Sequence, residues 1–339
     1  MTVFYLFRST GTGHSIEELF GNILCEIGQQ GVTTKAVQLP HISRGLRSVW
    51  KNIQFVKRLT ADIFHLTGDS HYVALALPAS RTILTIHDCS LLKKNRNQPL
   101  QYVLFWLLWY YLPIRRAGIV TVVSEKTRQE LLLYVGRIAQ KVQVIPNGYD
   151  PVFINSPKSF CQDHPMLLQV GTAPHKNLSR LIAAIEGIPC TLVIVGPLTD
   201  KTLVDLQRRQ ISYQSYANLS RAEVVQLYID CDIVTFVSTY EGFGMPILEA
   251  NAVGRAIITS DISPMREIAA GAAHLVDPTD RAAIRQGILR LLQDDTYRQS
   301  LIEVSLKNAQ QYTIAIAADR YKGLYQKLVP IHPSTQPVL

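Results

Sequence analysis

Two glutamates eight positions apart, Glu241 and Glu249, lie in the segment Ser238-Thr-Tyr-Glu241-Gly-Phe-Gly-Met-Pro246-Ile-Leu-Glu249-Ala250. The pattern predicts a strand ending near Ser238, a glycine loop, and a helix with Pro246 at its first position. The N–H groups from Ile247 to Glu249 would then lack intrahelical acceptors and offer a site for an anion such as a diphosphate. Gly242 and Gly244 allow the backbone to approach a ligand closely, with Phe243 and Met245 beside them. Both carboxylates can accept hydrogen bonds from the vicinal hydroxyls of ribose or hexose rings. The plainer alternative is a surface loop with two solvated glutamates.

A second turn, Leu168-Gln-Val-Gly171-Thr-Ala-Pro-His175-Lys176-Asn177-Leu178, sets a lysine just before a predicted helix capped by Asn177. A cation there makes chemical sense with a phosphate between it and the helix start. In the first half, Thr82-Ile-Leu-Thr-Ile-His87-Asp88 ends a predicted strand on a histidine and an aspartate. His87 could hydrogen-bond a sugar hydroxyl or assist proton transfer, or be a satisfied core histidine. Gly11-Thr-Gly13-His14 opens the first strand-to-helix turn, but Ile16 replaces the third glycine of a dinucleotide fingerprint.

The elements that must position these residues alternate along the chain: short β-branched runs, then runs of helical period. Strands are expected near residues 3–7, 33–37, 63–66, 82–86, 119–123 and 142–145, and again near 166–170, 191–195, 233–237, 256–259 and 274–276. The pattern lapses between Pro146 and Pro165, where prolines 151, 157 and 165 mark a linker. The expected fold class is α/β, with two Rossmann-like parallel-sheet domains facing across a cleft. Residues 1–150 form the first domain, 151–165 the linker, 166–313 the second domain, and 314–339 a C-terminal helix crossing back.

Composition narrows the functional classes. A chain of 339 residues, 47% hydrophobic, with five scattered cysteines and no C-x-x-C pair, excludes disorder and a disulfide or zinc framework. A reduced, cytoplasmic setting fits. Residues 1–150 carry 17 Lys and Arg against 9 Asp and Glu, while residues 151–339 carry 17 of each. The first half therefore faces something anionic. Nucleic acid is disfavoured, because the basic half has no recognised nucleic-acid-binding signature. The apolar run 102–114 is too short to span a bilayer and ends in Pro113, Arg115 and Arg116.

Together these residues resemble the family 4 type of retaining glycosyltransferase, the glycosyl transferases group 1 with GT-B architecture. Glu241 and Glu249 match the family's E-x7-E motif. Val170-Gly171-Thr-Ala-Pro-His-Lys176-Asn-Leu178 resembles its donor-phosphate loop, Val144-Ile-Pro-Asn-Gly-Tyr-Asp150 its interdomain strand and linker, and Thr259-Ser-Asp-Ile-Ser-Pro-Met-Arg-Glu267 the turn after the next strand. The resemblance implies an acceptor-binding first domain and a second domain for a nucleotide-sugar donor, GDP- or UDP-linked, with no cofactor and no metal. Glu249 would hold the ribose hydroxyls. Glu241 would face the donor sugar beside the N–H groups of Phe243, Gly244 and Met245, and Lys176 would neutralise the diphosphate. His87 would contact the donor sugar, Gly13 and Gly171 would approach the donor, and His14 and Asp88 would lie on the acceptor side. The sugar, which the Val170–Asn177 loop's likeness to mannosyl- and related transferases points to as mannose, would pass to a hydroxyl of a glycan or lipid-linked acceptor in polysaccharide synthesis. The family often has two basic residues at the donor loop; here only Lys176 is permanently charged.

Leu46, Val49, Trp50, Ile53, Val56 and Leu59 form one helical stripe near Arg44, Arg47, Lys51, Lys57 and Arg58. With the aromatic run 102–112, this suggests peripheral attachment to an anionic membrane surface on its inner face. Asp230-Cys-Asp232 resembles a metal-binding D-x-D but falls at a helix-to-strand turn, and His65, His71 and His87 have no zinc-ligand spacing. The rival readings are a non-catalytic nucleotide-sugar-binding protein, an NAD-dependent enzyme, and a hydrolase or phosphorylase on the same fold.

Overall fold

A computed structural model describes residues 1–9, 11 and 15–329. Its chain divides into two compact units. The first comprises Met1–Gly148 and the helix Ile314–Leu328. Its strands are β1 (Thr2–Phe7), β2 (Thr33–Gln38), β3 (Ile63–Leu66), β4 (Thr82–Ile86), β5 (Ile119–Val122) and β6 (Gln143–Val144). They pair in the order β2-β1-β3-β4-β5-β6, every pair parallel. β3, β4 and β5 are buried along their whole length, which is why they read as continuous rather than alternating runs. On one face lie Phe20, Ile23 and Ile27 of the helix Ser15–Gln29, with Tyr321, Leu324 and Tyr325 of the last helix.

A polar thread crosses that core. His65 sits between the Tyr325 hydroxyl and Thr85 Oγ1, each 2.7 Å from a ring nitrogen, and Tyr325 continues to Tyr5 at 2.8 Å. Every ring atom of His65 that could carry charge is thus committed to a neutral partner, and burial pushes its pKa down to about 3.

Two features of this unit bear on the expected membrane surface. The aromatic run 102–112 is divided: Trp109 and Tyr110 are buried, Phe105, Trp106 and Tyr111 pack partly buried against the same cluster, and Val103 and Leu104 are exposed. Its helix widens to a π turn at Trp106–Tyr111. The helical stripe also splits. Val56 is buried and Val49, Ile53 and Leu59 lean on the core, whereas Leu46 and Trp50 stay 80% and 60% exposed.

The second unit is Tyr149–Thr313. Its strands are β7 (Met166–Val170), β8 (Thr191–Val195), β9 (Ser212–Tyr216), β10 (Ile233–Phe236), β11 (Ala256–Ser260) and β12 (His274–Val276). They pair as β12-β11-β10-β7-β8-β9, again all parallel. Strand order reverses between β7 and β10 here, and between β1 and β3 in the first sheet. Open parallel sheets bind ligands at such points, beyond the strand C-termini.

The stretch 151–165, expected as a linker, lies within this second unit. Phe153 is buried edge-on against Tyr228, and Lys158 pairs with Asp232 at 2.7 Å. The Asp232 carboxylate also accepts from the N–H groups of Cys161 and Met166, at 3.1 and 2.8 Å. It is a structural clamp that ties this stretch to the entry of β7.

Candidate active site

In the second unit, the loop after β7 begins at Gly171, whose φ of +92° suits glycine. A Cβ there would come 3.0 Å from Lys176 Cε, so the lysine stem occupies the space that glycine leaves. A short turn, Pro174–Lys176, returns the chain to Asn177. Asn177 differs from the expected cap: its φ is +62°, and it makes no capping bond. Its amide instead donates to the carbonyls of Val237 and Pro278, at 2.9 and 2.8 Å. Thr239 N–H donates to the His175 carbonyl at 2.8 Å. The loops after β7 and β10 are thereby stitched together at the point where strand order reverses.

That stitching brings Lys176 Nζ to 2.9 Å from Glu241 Oε1 and 4.8 Å from the Phe236 ring centre. His175 Nε2 stands 3.9 Å from the same carboxylate oxygen. Gly242 and Phe243 then lead to Gly244, whose φ of +141° turns the chain into the helix Met245–Val253. No side chain caps this helix. Ile247 N–H, expected to be open, closes onto the Gly244 carbonyl at 3.0 Å.

Glu249 is 6% exposed, on a helix buried from Pro246 to Val253. A carboxylate so placed needs partners. Tyr228 donates its hydroxyl to Oε2 at 2.6 Å, and Arg221 Nη2 donates to Oε1 at 3.1 Å. The other edge of Arg221 donates to Asp150 Oδ2 at 3.1 Å, with the guanidinium 4.6 Å over the Phe153 ring. Burial first, then the charge of Glu249, pushes the Tyr228 pKa well above its usual value, so the phenol remains a donor. Each Glu249 oxygen keeps a second lone pair with which to accept from a hydroxyl. Asp150, Arg221 and Tyr228 carry no local motif for this role; only the fold assembles them.

In the first unit, a cavity of about 260 Å³ opens beyond the ends of β1, β3 and β4, lined by Arg8, His71, His87 and Asp88 among others. His87 Nε2 is 2.8 Å from the Thr67 carbonyl. A carbonyl only accepts, so Nε2 carries the proton and Nδ1 is a bare acceptor. His71 is the mirror case: Nδ1 donates to the Trp109 carbonyl at 2.7 Å, leaving Nε2 bare. Burial lowers both pKa values, that of His71 to about 4, so both rings are neutral at pH 7. For His87 the Thr67 carbonyl and Asp88 pull the other way, without overcoming burial. Asp88 accepts from Ser90 N–H at 2.8 Å, and Arg8 forks onto Glu17 at 2.9 and 2.8 Å. In the sequence His71 closes the segment 62–71 that resembles the family's preceding strand and loop, and it has no zinc-ligand spacing with His65 and His87. Gly13 and His14 lie outside the described residues. Among the described residues no cluster of His, Cys, Asp or Glu is arranged to hold a metal ion.

Comparison with known proteins follows the same division. A family model described as Glycosyltransferase Family 4 matches residues 2–153, and one described as Glycosyl transferases group 1 matches residues 154–308. The chain is 26% identical over 318 residues to the O-antigen chain mannosyltransferase B of Escherichia coli, covering 86% of this chain and 80% of that protein. It is 23% identical over 282 residues to the serotype-specific mannosyltransferase WbdA of Escherichia coli, of which it covers about a third (34%). Sucrose-phosphate synthase from Thermosynechococcus elongatus has a similar structure, with a TM-score of 0.81, 16% identity, and coverage of 97% of this chain and 99% of that one. The Anabaena protein HepE, solved with UDP and glucose, has a TM-score of 0.75 and 18% identity, covering 96% and 99%. With both halves matched and the fold shared, the chain belongs to the group 1 glycosyltransferases of the GT-B fold.

Proposed function

We propose that this glycosyltransferase moves a hexose, in first place mannose from GDP-mannose, to a hydroxyl of a saccharide or lipid-linked acceptor in polysaccharide synthesis. The transfer proceeds with retention at the anomeric carbon and without a metal. The observation that carries the reading is the Lys176–Glu241 pair at 2.9 Å, set just before the uncapped helix that bears Glu249. One cation, one hydroxyl-reading carboxylate and one helix start meet a sugar diphosphate's three needs. Mannose is favoured by the printed names of the relatives; the UDP in HepE keeps uridine nucleotides as the competing donor.

In this reading Glu249, held by Tyr228 and Arg221, takes the ribose hydroxyls. Lys176 and the N–H groups of Phe243, Gly244 and Met245 receive the diphosphate, and Gly171 leaves room for the Lys176 stem. Glu241 orients the transferred sugar; in the first unit, His87 offers Nδ1 to a sugar hydroxyl, with Asp88 beside it for the acceptor. The bond from the anomeric carbon to the phosphate oxygen breaks as the acceptor oxygen bonds to the same face. The acceptor proton passes to the departing phosphate oxygen. Lys176 stabilises the charge that builds there, which favours the transition state over the bound donor.

The enzyme is further proposed to sit peripherally on an anionic lipid surface, the inner leaflet where lipid-linked acceptors would be met. Leu46 and Trp50, at 80% and 60% exposure, project from a helix that also bears Arg47 and Lys51, with Arg44 just before it. Apolar side chains among cations suit a headgroup boundary. No helix among the described residues is long and apolar enough to cross a membrane.

Calorimetric titration with GDP, UDP and ADP, in EDTA, tests the donor site on the wild type and Glu249→Ala. Saturable binding of GDP, lost in the variant, is the expected result. Binding of UDP alone would replace the mannose assignment, and no binding of any nucleotide would overturn the reading.

A further inference from the structure

The cavity of the first unit contains more chemistry than His87 accounts for. His71 and His87 come from different loops, after β3 and after β4, yet both line it. Each spends one ring nitrogen on a backbone carbonyl, His71 through Nδ1 and His87 through Nε2. Opposite nitrogens are therefore left to the cavity, both as bare acceptors. Around them stand two carboxylates, Asp69 and Asp88, and two cations, Arg8 and Lys94. Arg8 is already committed to Glu17. Such a set does not select an anion, because its acceptors outnumber its uncommitted cations. It suits a neutral polyol, whose hydroxyls donate to imidazole and carboxylate and accept from ammonium. Trp109 and Tyr110 on the same wall offer apolar surface to ring C–H groups.

We propose that His71 is a specificity-determining residue of this enzyme, its Nε2 accepting a hydrogen bond from one hydroxyl of a pyranose in the cavity while His87 Nδ1 accepts from another. The inference rests on the proposed reading that a hexose is handled here, and adds a residue to which that reading gives no role. The pyranose is either the donor's sugar or the acceptor's terminal residue; the chemistry of recognition is the same. The carbonyl of Trp109 is what fixes the tautomer. Without it the ring could present an N–H instead and would read a different face of the hydroxyl.

Two substitutions separate this role from a structural one. Asn at position 71 sets an amide N–H where Nδ1 was, keeping the bond to Trp109 and deleting the Nε2 acceptor. Gln does the reverse, giving up that bond while its amide oxygen can reach the Nε2 position. Methyl α-D-mannopyranoside, and its glucose and galactose counterparts, are titrated by saturation-transfer NMR in the presence of saturating GDP, or UDP if that is the nucleotide bound. GDP and GDP-mannose affinities are measured alongside.

For His71→Asn the expected result is an unchanged Tm, unchanged GDP affinity, and about tenfold weaker sugar binding, the worth of one hydrogen bond in a closed site. His71→Gln should lose stability and keep more of the sugar affinity. Weakened GDP-mannose binding would assign the cavity to the donor's sugar; weakened glycoside binding alone would assign it to the acceptor. The reverse order, with Asn binding sugar as the wild type does and Gln failing, would overturn the proposal and leave His71 a structural residue. Absence of saturable sugar or GDP-mannose binding to a wild type that still binds GDP would also overturn it, while the nucleotide site stood.

Discussion

Acid should unfold the first unit well before carboxylate titration would. Its core holds His65 and His71, whose pKa values burial lowers to about 3 and about 4, and His87, lowered in the same direction. The unfolded chain returns each to about 6.5. Folded pKa values below unfolded ones mean that the unfolded state takes up the proton first. The stability from these rings is therefore complete above pH 6.5 and drains away as pH falls toward the folded values. One pH unit within that window costs about 1.36 kcal/mol per group. Between pH 6.5 and pH 5, His65 and His71 thus cost about 2 kcal/mol each, with His87 adding to the sum. A loss of about 4 kcal/mol is a large part of a typical net stability of about 5–15 kcal/mol. The assay is urea denaturation at pH 7.5 and pH 5.0. Fluorescence reports on this unit alone, because the chain's three tryptophans, Trp50, Trp106 and Trp109, all lie in it. His65→Gln should be less stable at pH 7.5, yet lose about 2 kcal/mol less than the wild type on acidification. Equal losses in the two proteins, or no loss in the wild type, would refute the claim that buried neutral imidazoles set the acid limit.

Three further outcomes follow from the sites. In the proposed role, where its charge counts most as the diphosphate departs, Lys176→Ala should cut turnover by about two to three orders of magnitude with a smaller change in nucleotide affinity. A loss confined to KM would remove that role. Arg255 is buried, with donors to the carbonyls of Ile229, Cys231, Val253 and Ser156 at 2.6 to 3.3 Å. Arg255→Ala strands those acceptors and should cost about 3 kcal/mol in chemical denaturation of the second unit; a loss under 1 kcal/mol would contradict it. Trp50→Ser should reduce sedimentation with vesicles containing phosphatidylglycerol and leave the neglect of pure phosphatidylcholine unchanged. Equal sedimentation of variant and wild type would detach this helix from the membrane proposal.

The sheets were legible in the sequence because burial on both faces writes itself as short, mostly apolar runs without strict alternation, as in Ile63–Leu66 and Ile233–Phe236, each broken by one buried polar residue. β9 was not, for the same reason reversed. Ser212–Tyr216 is an edge strand of largely exposed polar residues, and its pattern carries no burial signal. In the helix Gly45–Val56 the sequence showed the apolar stripe but not where the core stops, because Leu46 and Trp50 continue the same period as the buried Val56.

The site divides along a similar line. Glu241 and Lys176 sit on short glycine-marked loops, and Glu249 on the helix that one of them opens, so their backbone geometry is local and their spacing already speaks. What holds them is not local. Glu249 depends on Tyr228 and Arg221, 21 and 28 residues away, and Arg221 in turn on Asp150, 71 residues away. His71 takes its tautomer from a carbonyl 38 residues further on. A carboxylate or an imidazole announces only that it can accept or donate; which it does, and at what charge, is decided by partners that only the folded sheet brings near. The sequence motif marks where Glu241, Glu249 and Lys176 stand, and the state in which each polar side chain is held is written in long-range contacts such as that between Trp109 and His71.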